Sequence, residues 1–211
     1  MSHHESAAEG SGARLVDRML FFSDAVFAIV LTLLVLELRP PHVEGEDSLG
    51  AGLLTMWKSF ASFVISFVLG ATFWVVHMRN TRTLRQFDWP VAVTNLLHLF
   101  SVALLPFAAA VFGEHIKSPI TFAIYCGLIT LTSFTATLLW LTITRDKGRL
   151  VGGIESRARM AAALRSAAPG VGFGCSLILM IAGADSIARI GWFAIIPVAA
   201  IANRLSRPAK A

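Results

Sequence analysis

This sequence predicts an all-α integral membrane protein with six transmembrane helices and both termini in the cytoplasm, on three observations. Only 15% of its 211 residues are charged while 55% are hydrophobic, with a mean hydropathy of +0.69; soluble domains carry roughly 25% charged residues, so a soluble enzyme is excluded. Six apolar runs can each cross a hydrocarbon core of roughly 30 Å, which takes about 20 helical residues. The third observation is the sorting of lysine and arginine between alternate loops.

The runs are Arg18 to Leu38, Thr55 to Met78, Trp89 to Phe112, Pro119 to Ile143, Ala161 to Ala182 and Ile187 to Asn203. Lipid offers no partner to exposed backbone groups, and the runs are too long and too continuously apolar for barrel strands, so each is read as a helix. The polar leader MSHHESAAEGSGARLVD runs directly into a full-length span, which argues against a cleavable signal peptide and makes span one its own insertion signal. Fourteen of the eighteen basic residues fall on one side: Arg14, Arg18, Arg79, Arg82, Arg85, six from Arg145 to Arg165, Arg204, Arg207 and Lys210. Arg39, Lys117 and Arg189 fall on the other, with Lys58 near the outer end of span two. The positive-inside rule then places both termini in the cytoplasm, which requires an even number of spans. The net charge of +5 is thus mostly topology signal and calls for no nucleic acid, although basic loops suit anionic lipid head groups. Cys126 and Cys175 both lie in apolar runs and form neither a disulfide framework nor a CxxC pair.

Span one, RMLFFSDAVFAIVLTLLVLEL, carries an aspartate followed by twelve uncharged residues. An ionisable group there costs roughly 2.5 to 3.5 kcal/mol on insertion scales, so Asp24 is expected to face protein or water. At about 100° per residue, Arg18, Phe22, Ala25, Ile29, Thr32, Leu33 and Leu36 share one face, while Ser23 and Asp24 point elsewhere. That separation suits Asp24 as a packing lock better than as an ion ligand.

The remaining features read as structural. Gly170-Val171-Gly172-Phe173-Gly174 superficially suggests a carbonyl filter, but it follows a basic loop and Pro169, and its Gly170 and Gly174 form a GxxxG pair suited to close helix packing. Thr130, Ser133 and Thr137 line one side of span four, where hydroxyls usually bond back to their own helix. His98 is expected to be satisfied by a neighbouring helix. Pro106 and Pro197 interrupt spans three and six, predicting kinks. Glu44, Glu46 and Asp47 in the first outer loop would draw cations towards an outer mouth, or simply be solvated. No fixed metal site is expected, since no two His, Cys or acidic residues sit at i, i+3 or i, i+4 within the membrane, and Ser23 lies in no nucleophile elbow. No cofactor and no enzymatic activity are expected.

Arg18-Met19-Leu20-Phe21-Phe22-Ser23-Asp24 resembles the RxxxFSD signature of the endosomal and lysosomal potassium channels of the transmembrane protein 175 type and their prokaryotic relatives. The continuation AVFAIVLTLLVLEL, the positions Phe67, Phe73, Trp74 and His77 of span two, and the run from Asn95 to Phe107 are similar as well. The similarity covers Arg18 to about Phe112. One departure is that His77 is followed by Met78 where relatives often carry a second histidine.

The resemblance implies a potassium-preferring leak channel in a prokaryotic plasma membrane, a homotetramer among lipid whose first helices line a central pore carrying potassium in transit. It places a hydrophobic gate at Ile29, further apolar layers at Leu33 and Leu36, and a hydroxyl layer at Thr32. It also assigns Arg18, Phe22, Ser23, Asp24, Trp74, His77 and Asn95 to a structural network. The implied organisation is a disordered cytoplasmic leader (1–17), a six-helix channel domain (18–205) and a cytoplasmic tail (206–211). Two competing functions are a proton-coupled secondary transporter using Asp24, His77 or His98, and a membrane-embedded enzyme. Transporters usually show internal repeats, and none is evident here.

Overall fold

The computed structural model describes residues 2–41, 49–86 and 88–206, and every regular element among them is helical. Glu44, Glu46 and Asp47 lie outside the described residues, as does 207–211 of the expected tail. In chain order the helices are α1 (Ser2–Leu33), α2 (Leu49–Thr55), α3 (Trp57–Thr81), α4 (Trp89–Ala103), α5 (Leu105–Glu114) and α6 (Pro119–Ile143). They continue with α7 (Arg145–Gly148), α8 (Ser156–Ile181), α9 (Asp185–Ala188) and α10 (Ile195–Leu205). Helical backbone already begins at Ser2, within the leader expected to be disordered.

Among the described residues, five stretches are long and apolar enough to cross a membrane: Gly12–Glu37, Trp57–Thr81, Trp89–Glu114, Pro119–Ile143 and Ser156–Ile181. The expected sixth run does not form one such helix. After α9 the chain makes a 3-10 turn, Gly191–Ala194, before α10, and the apolar stretch Gly191–Leu205 reaches only roughly 23 Å. The backbone at Gly191 is pinned against α8, where an added Cβ would sit 2.8 Å from Ser176 Oγ.

Each proline acts through its place in a helix. Pro106, which cannot donate a backbone hydrogen bond, stands where the third span breaks into α4 and α5 at Leu104. Pro197 makes no interior kink, because it lies in the first turn of α10, where backbone N–H groups have no helical acceptor anyway. Pro169 lies inside α8, and there a neighbour intervenes: Ser133 Oγ of α6 donates to Ser166 O at 2.6 Å and accepts from Gly170 N at 2.8 Å. One hydroxyl thus satisfies both the carbonyl and the amide that an unbroken helix would have paired.

α6 sits centrally. Tyr125, Cys126 and Ile129 are buried with Phe73 of α3, Leu99 and Val102 of α4 and Phe173 of α8. At the arginine-rich end the α3–α4 and α6–α8 connections dock on each other. Arg85 N donates to Leu150 O at 3.0 Å, and Asp88, which caps α4 by accepting from Val91 N at 3.3 Å, also pairs with Arg145.

Candidate functional site

α1 has two opposed faces. Val16, Ser23, Phe27, Val30 and Leu34 are buried, at spacings of seven, four, three and four that keep them on one side. The expected stripe lies about 150° round the helix and is uncovered throughout. Ile29 is 56%, Leu33 41% and Leu36 67% exposed, and Arg18, Phe22, Ala25 and Thr32 are exposed too. Leu36 falls in the 3-10 turn Leu34–Glu37, so a uniform 100° step does not extend to it, yet it remains on the open side. Thr32 Oγ1 bonds back to Ala28 O at 3.0 Å and Ile29 O at 2.8 Å. Its proton is committed to the helix, and its oxygen lone pairs are left to the exposed side.

Behind the stripe, hydrogen bonds tie α1 to α3 and α4. His77 and Asn95 lie at interior positions because Ser62, Ser66, Gly70, Phe73, His77 and Asn80 recur along one face of α3, and Val91, Asn95, His98 and Val102 along one face of α4. His77 Nε2 meets Asn95 Oδ1 at 2.9 Å, and Asn95 Nδ2 donates to Ser23 Oγ at 3.0 Å. Ser23 Oγ in turn donates to Met19 O at 2.9 Å. A carboxamide oxygen only accepts, so His77 carries its proton on Nε2 and the chain runs His77 to Asn95 to Ser23. Trp74 Nε1 donates separately to Asp24 Oδ1 at 3.0 Å, at the exposed flank of the same helices. Of the seven residues assigned to a network, five are thus paired. Arg18 and Phe22 lie instead on the exposed face, where no hydrogen bond joins Phe22 to the others.

A histidine pair extends the buried set. His98 stacks on His77 with ring centroids 5.8 Å apart and planes 13° from parallel, and Phe27 contacts both. His98 Nδ1 lies 3.1 Å from Thr135 Oγ1, whose proton goes to Thr132 O at 3.0 Å, so His98 is the donor. Its Nε2 is buried with no hydrogen-bond partner among the described residues. Asn95 and His98, three residues apart, are both buried on α4, and the neighbouring-helix partner expected for His98 is Thr135 of α6. The face Gly170, Gly174 of the filter-like segment packs on α6: a Cβ on Gly170 would meet Ser133 Cβ at 2.7 Å. Thr130 and Thr137 bond back to Cys126 O and Ser133 O at 2.8 Å, leaving Ser133 as the one of the three hydroxyls turned to another helix.

Residues 18–106 match the family model of the endosomal/lysosomal potassium channel TMEM175. A protein of Streptomyces collinus named a potassium channel is 29% identical over 160 residues, 74% of this chain and 78% of that protein. Another so named, from Chamaesiphon minutus, is 32% identical over 128 residues, covering 58% and 63%. The human endosomal/lysosomal proton channel TMEM175 is 22% identical over 118 residues, 56% of this chain but only 23% of that protein. In fold, the chain is similar to the crystal structure of a TMEM175 homologue from Chamaesiphon minutus, with a TM-score of 0.67 and 23% identity over 92% of this chain and 100% of that one. The signature helix, the multi-pass helical architecture and these relatives agree, and together they support a prokaryotic member of the TMEM175 family.

Proposed function

We propose that this chain is a subunit of a potassium-preferring cation channel, a homotetramer in a plasma membrane whose central pore is lined by the exposed stripe of α1. One observation carries the reading: the stripe is apolar apart from Thr32 and Arg18, open along its length, and backed by a helix face anchored to α3 and α4. Its bacterial relatives bear potassium-channel names, and the family is one of ion channels rather than enzymes. In this reading the shorter apolar stretch Gly191–Leu205 is the sixth crossing, and the bilayer thins around it. With six crossings, residues 1–17 and 206–211 both face the cytoplasm.

Four Ile29 side chains round an axis supply no ligand to replace an ion's water, so a tight ring dewets and closes, and slight dilation admits a partly hydrated cation. Potassium deforms its hydration shell more readily than sodium, and the Thr32 oxygens one turn outward can meet it. Leu33 and Leu36 continue the apolar wall. Selectivity of this kind is modest and the conduction is a passive leak.

Ile29→Asn, which holds water at the constriction, is expected to raise resting conductance and lower the preference for potassium over sodium in planar bilayers. Ile29→Cys is expected to lose current when a thiol reagent enters from the pore. Unchanged currents in both variants would remove this stripe from the pore.

A second reading, a proton-coupled transporter through Asp24, His77 or His98, is favoured by the stacked histidines and by the proton-channel name of the human relative. Reversal potentials separate the two. A channel of the proposed kind follows the potassium gradient at fixed pH, while a proton-coupled carrier shifts with the pH gradient.

A further inference from the structure

An apolar cavity of about 510 Å³ lies between α3, α5, α6, α8 and the Gly191–Ala194 turn, with no lining residue from α1. That volume falls within the roughly 300 to 1,000 Å³ of ligand sites. Val64, Ile65 and Val68 form one wall, and Phe112, Phe122 and Phe173 form much of the other. Tyr125 also lines it, stacked on Phe112 at 4.9 Å, and its hydroxyl is already paired with Ser66 Oγ at 2.9 Å. The interior therefore asks for hydrocarbon.

The edge asks for an anion. Arg189 lines the cavity and is held there by three contacts: it donates to Ile116 O at 3.2 Å and to Lys117 O at 3.1 Å, and its Cζ lies 5.5 Å from the centre of the Phe122 ring. Of the five guanidinium N–H groups, these bonds use two. Lys117 is exposed beside it. Both residues belong to the bundle end opposite the arginine-rich loops. If Gly191–Leu205 is the sixth crossing proposed above, reaching roughly 23 Å of a roughly 30 Å core, Arg189 just before it falls near the boundary of head groups and acyl chains.

We propose that this cavity holds an acyl chain of an anionic membrane phospholipid, with the phosphate of its head group on Arg189. A neighbouring subunit covering the apolar walls is the competing occupant, and the test below separates it. A zwitterionic phospholipid also carries a phosphate, but its own ammonium group offsets that charge, so it competes less well for the guanidinium.

The test uses the full-length protein in phosphatidylcholine vesicles containing a minor fraction of phosphatidylglycerol with brominated acyl chains, which quench nearby tryptophan. Trp192 lines the cavity, and its emission is isolated by difference from Trp192→Phe. Brominated phosphatidylglycerol is expected to quench Trp192 at lower mole fraction than brominated phosphatidylcholine. Arg189→Gln should raise the required fraction about fivefold, the scale of one basic residue at an anionic surface, and Val68→Phe, which narrows the slot without adding a tryptophan, should abolish the preference. Excess inorganic phosphate should change nothing. Equal quenching of the unsubstituted protein by both lipids would mean ordinary surrounding lipid, and no quenching would mean a covering subunit. Displacement by phosphate would mean a free-anion site. Each of these overturns the proposal, and all are read on protein that keeps Arg189.

Discussion

Asn95 uses both ends of its carboxamide inside the bundle, accepting from His77 and donating to Ser23, so one side chain joins α1, α3 and α4. Asn95→Leu keeps the volume but strands the His77 Nε2–H in a buried place, a loss of about 1 to 2 kcal/mol. Asp24→Asn is milder, because an amide oxygen still accepts from Trp74 Nε1 at an exposed position, and about 0.5 kcal/mol or less is expected. Thermal unfolding of both variants in detergent checks the order, with ion preference expected to be unchanged in surviving Asp24→Asn channels. A larger loss for Asp24→Asn would mean that the carboxylate charge itself holds the assembly. The RxxxFSD signature singled out Ser23 and Asp24, and the wider family resemblance assigned Trp74, His77 and Asn95 to the same network. It could not reveal that His77 stacks on His98 or that Thr135 holds His98, because helical spacing gives a residue its face and not the helix opposite.

At the level of whole elements, α8 presents small residues to two partners. Gly170 abuts Ser133 of α6, where an added Cβ would be 2.7 Å from its Cβ, and Gly172 abuts the turn before α10, where one would lie 2.7 Å from Trp192 O. At Gly174 the nearest atom, Thr130 Cγ2, is at an ordinary 3.6 Å. Gly170→Ala and Gly172→Ala are therefore expected to lower the thermal midpoint, each by the roughly 1 to 3 kcal/mol of overpacking, while Gly174→Ala is tolerated. Equal sensitivity at Gly170 and Gly174 would restore the symmetrical GxxxG pairing suggested by their spacing. Hydropathy located the long spans well: Pro119–Ile143 has the anticipated limits, and Trp57–Thr81 differs by a few residues at each end. It overestimated the last, because summed apolarity does not register a turn imposed by contact with another helix at Gly191.

Across the whole molecule, charge sorting and the number of crossings must agree. The proposed six crossings put both termini on one side, so tags at Ser2 and Ala211 are expected to be labelled by an impermeant reagent from the same side in oriented vesicles. Labelling from opposite faces would mean that Gly191–Leu205 does not cross. The seat of that segment on Gly172 and Ser176 of α8 has a consequence for biogenesis. A stretch of fifteen residues partitions weakly by itself, so it is expected to leave the translocon only once α8 is in place to receive it. Replacing Gly172 would then do more than loosen a contact: a fraction of newly made chains would keep the carboxyl terminus on the wrong side of the membrane.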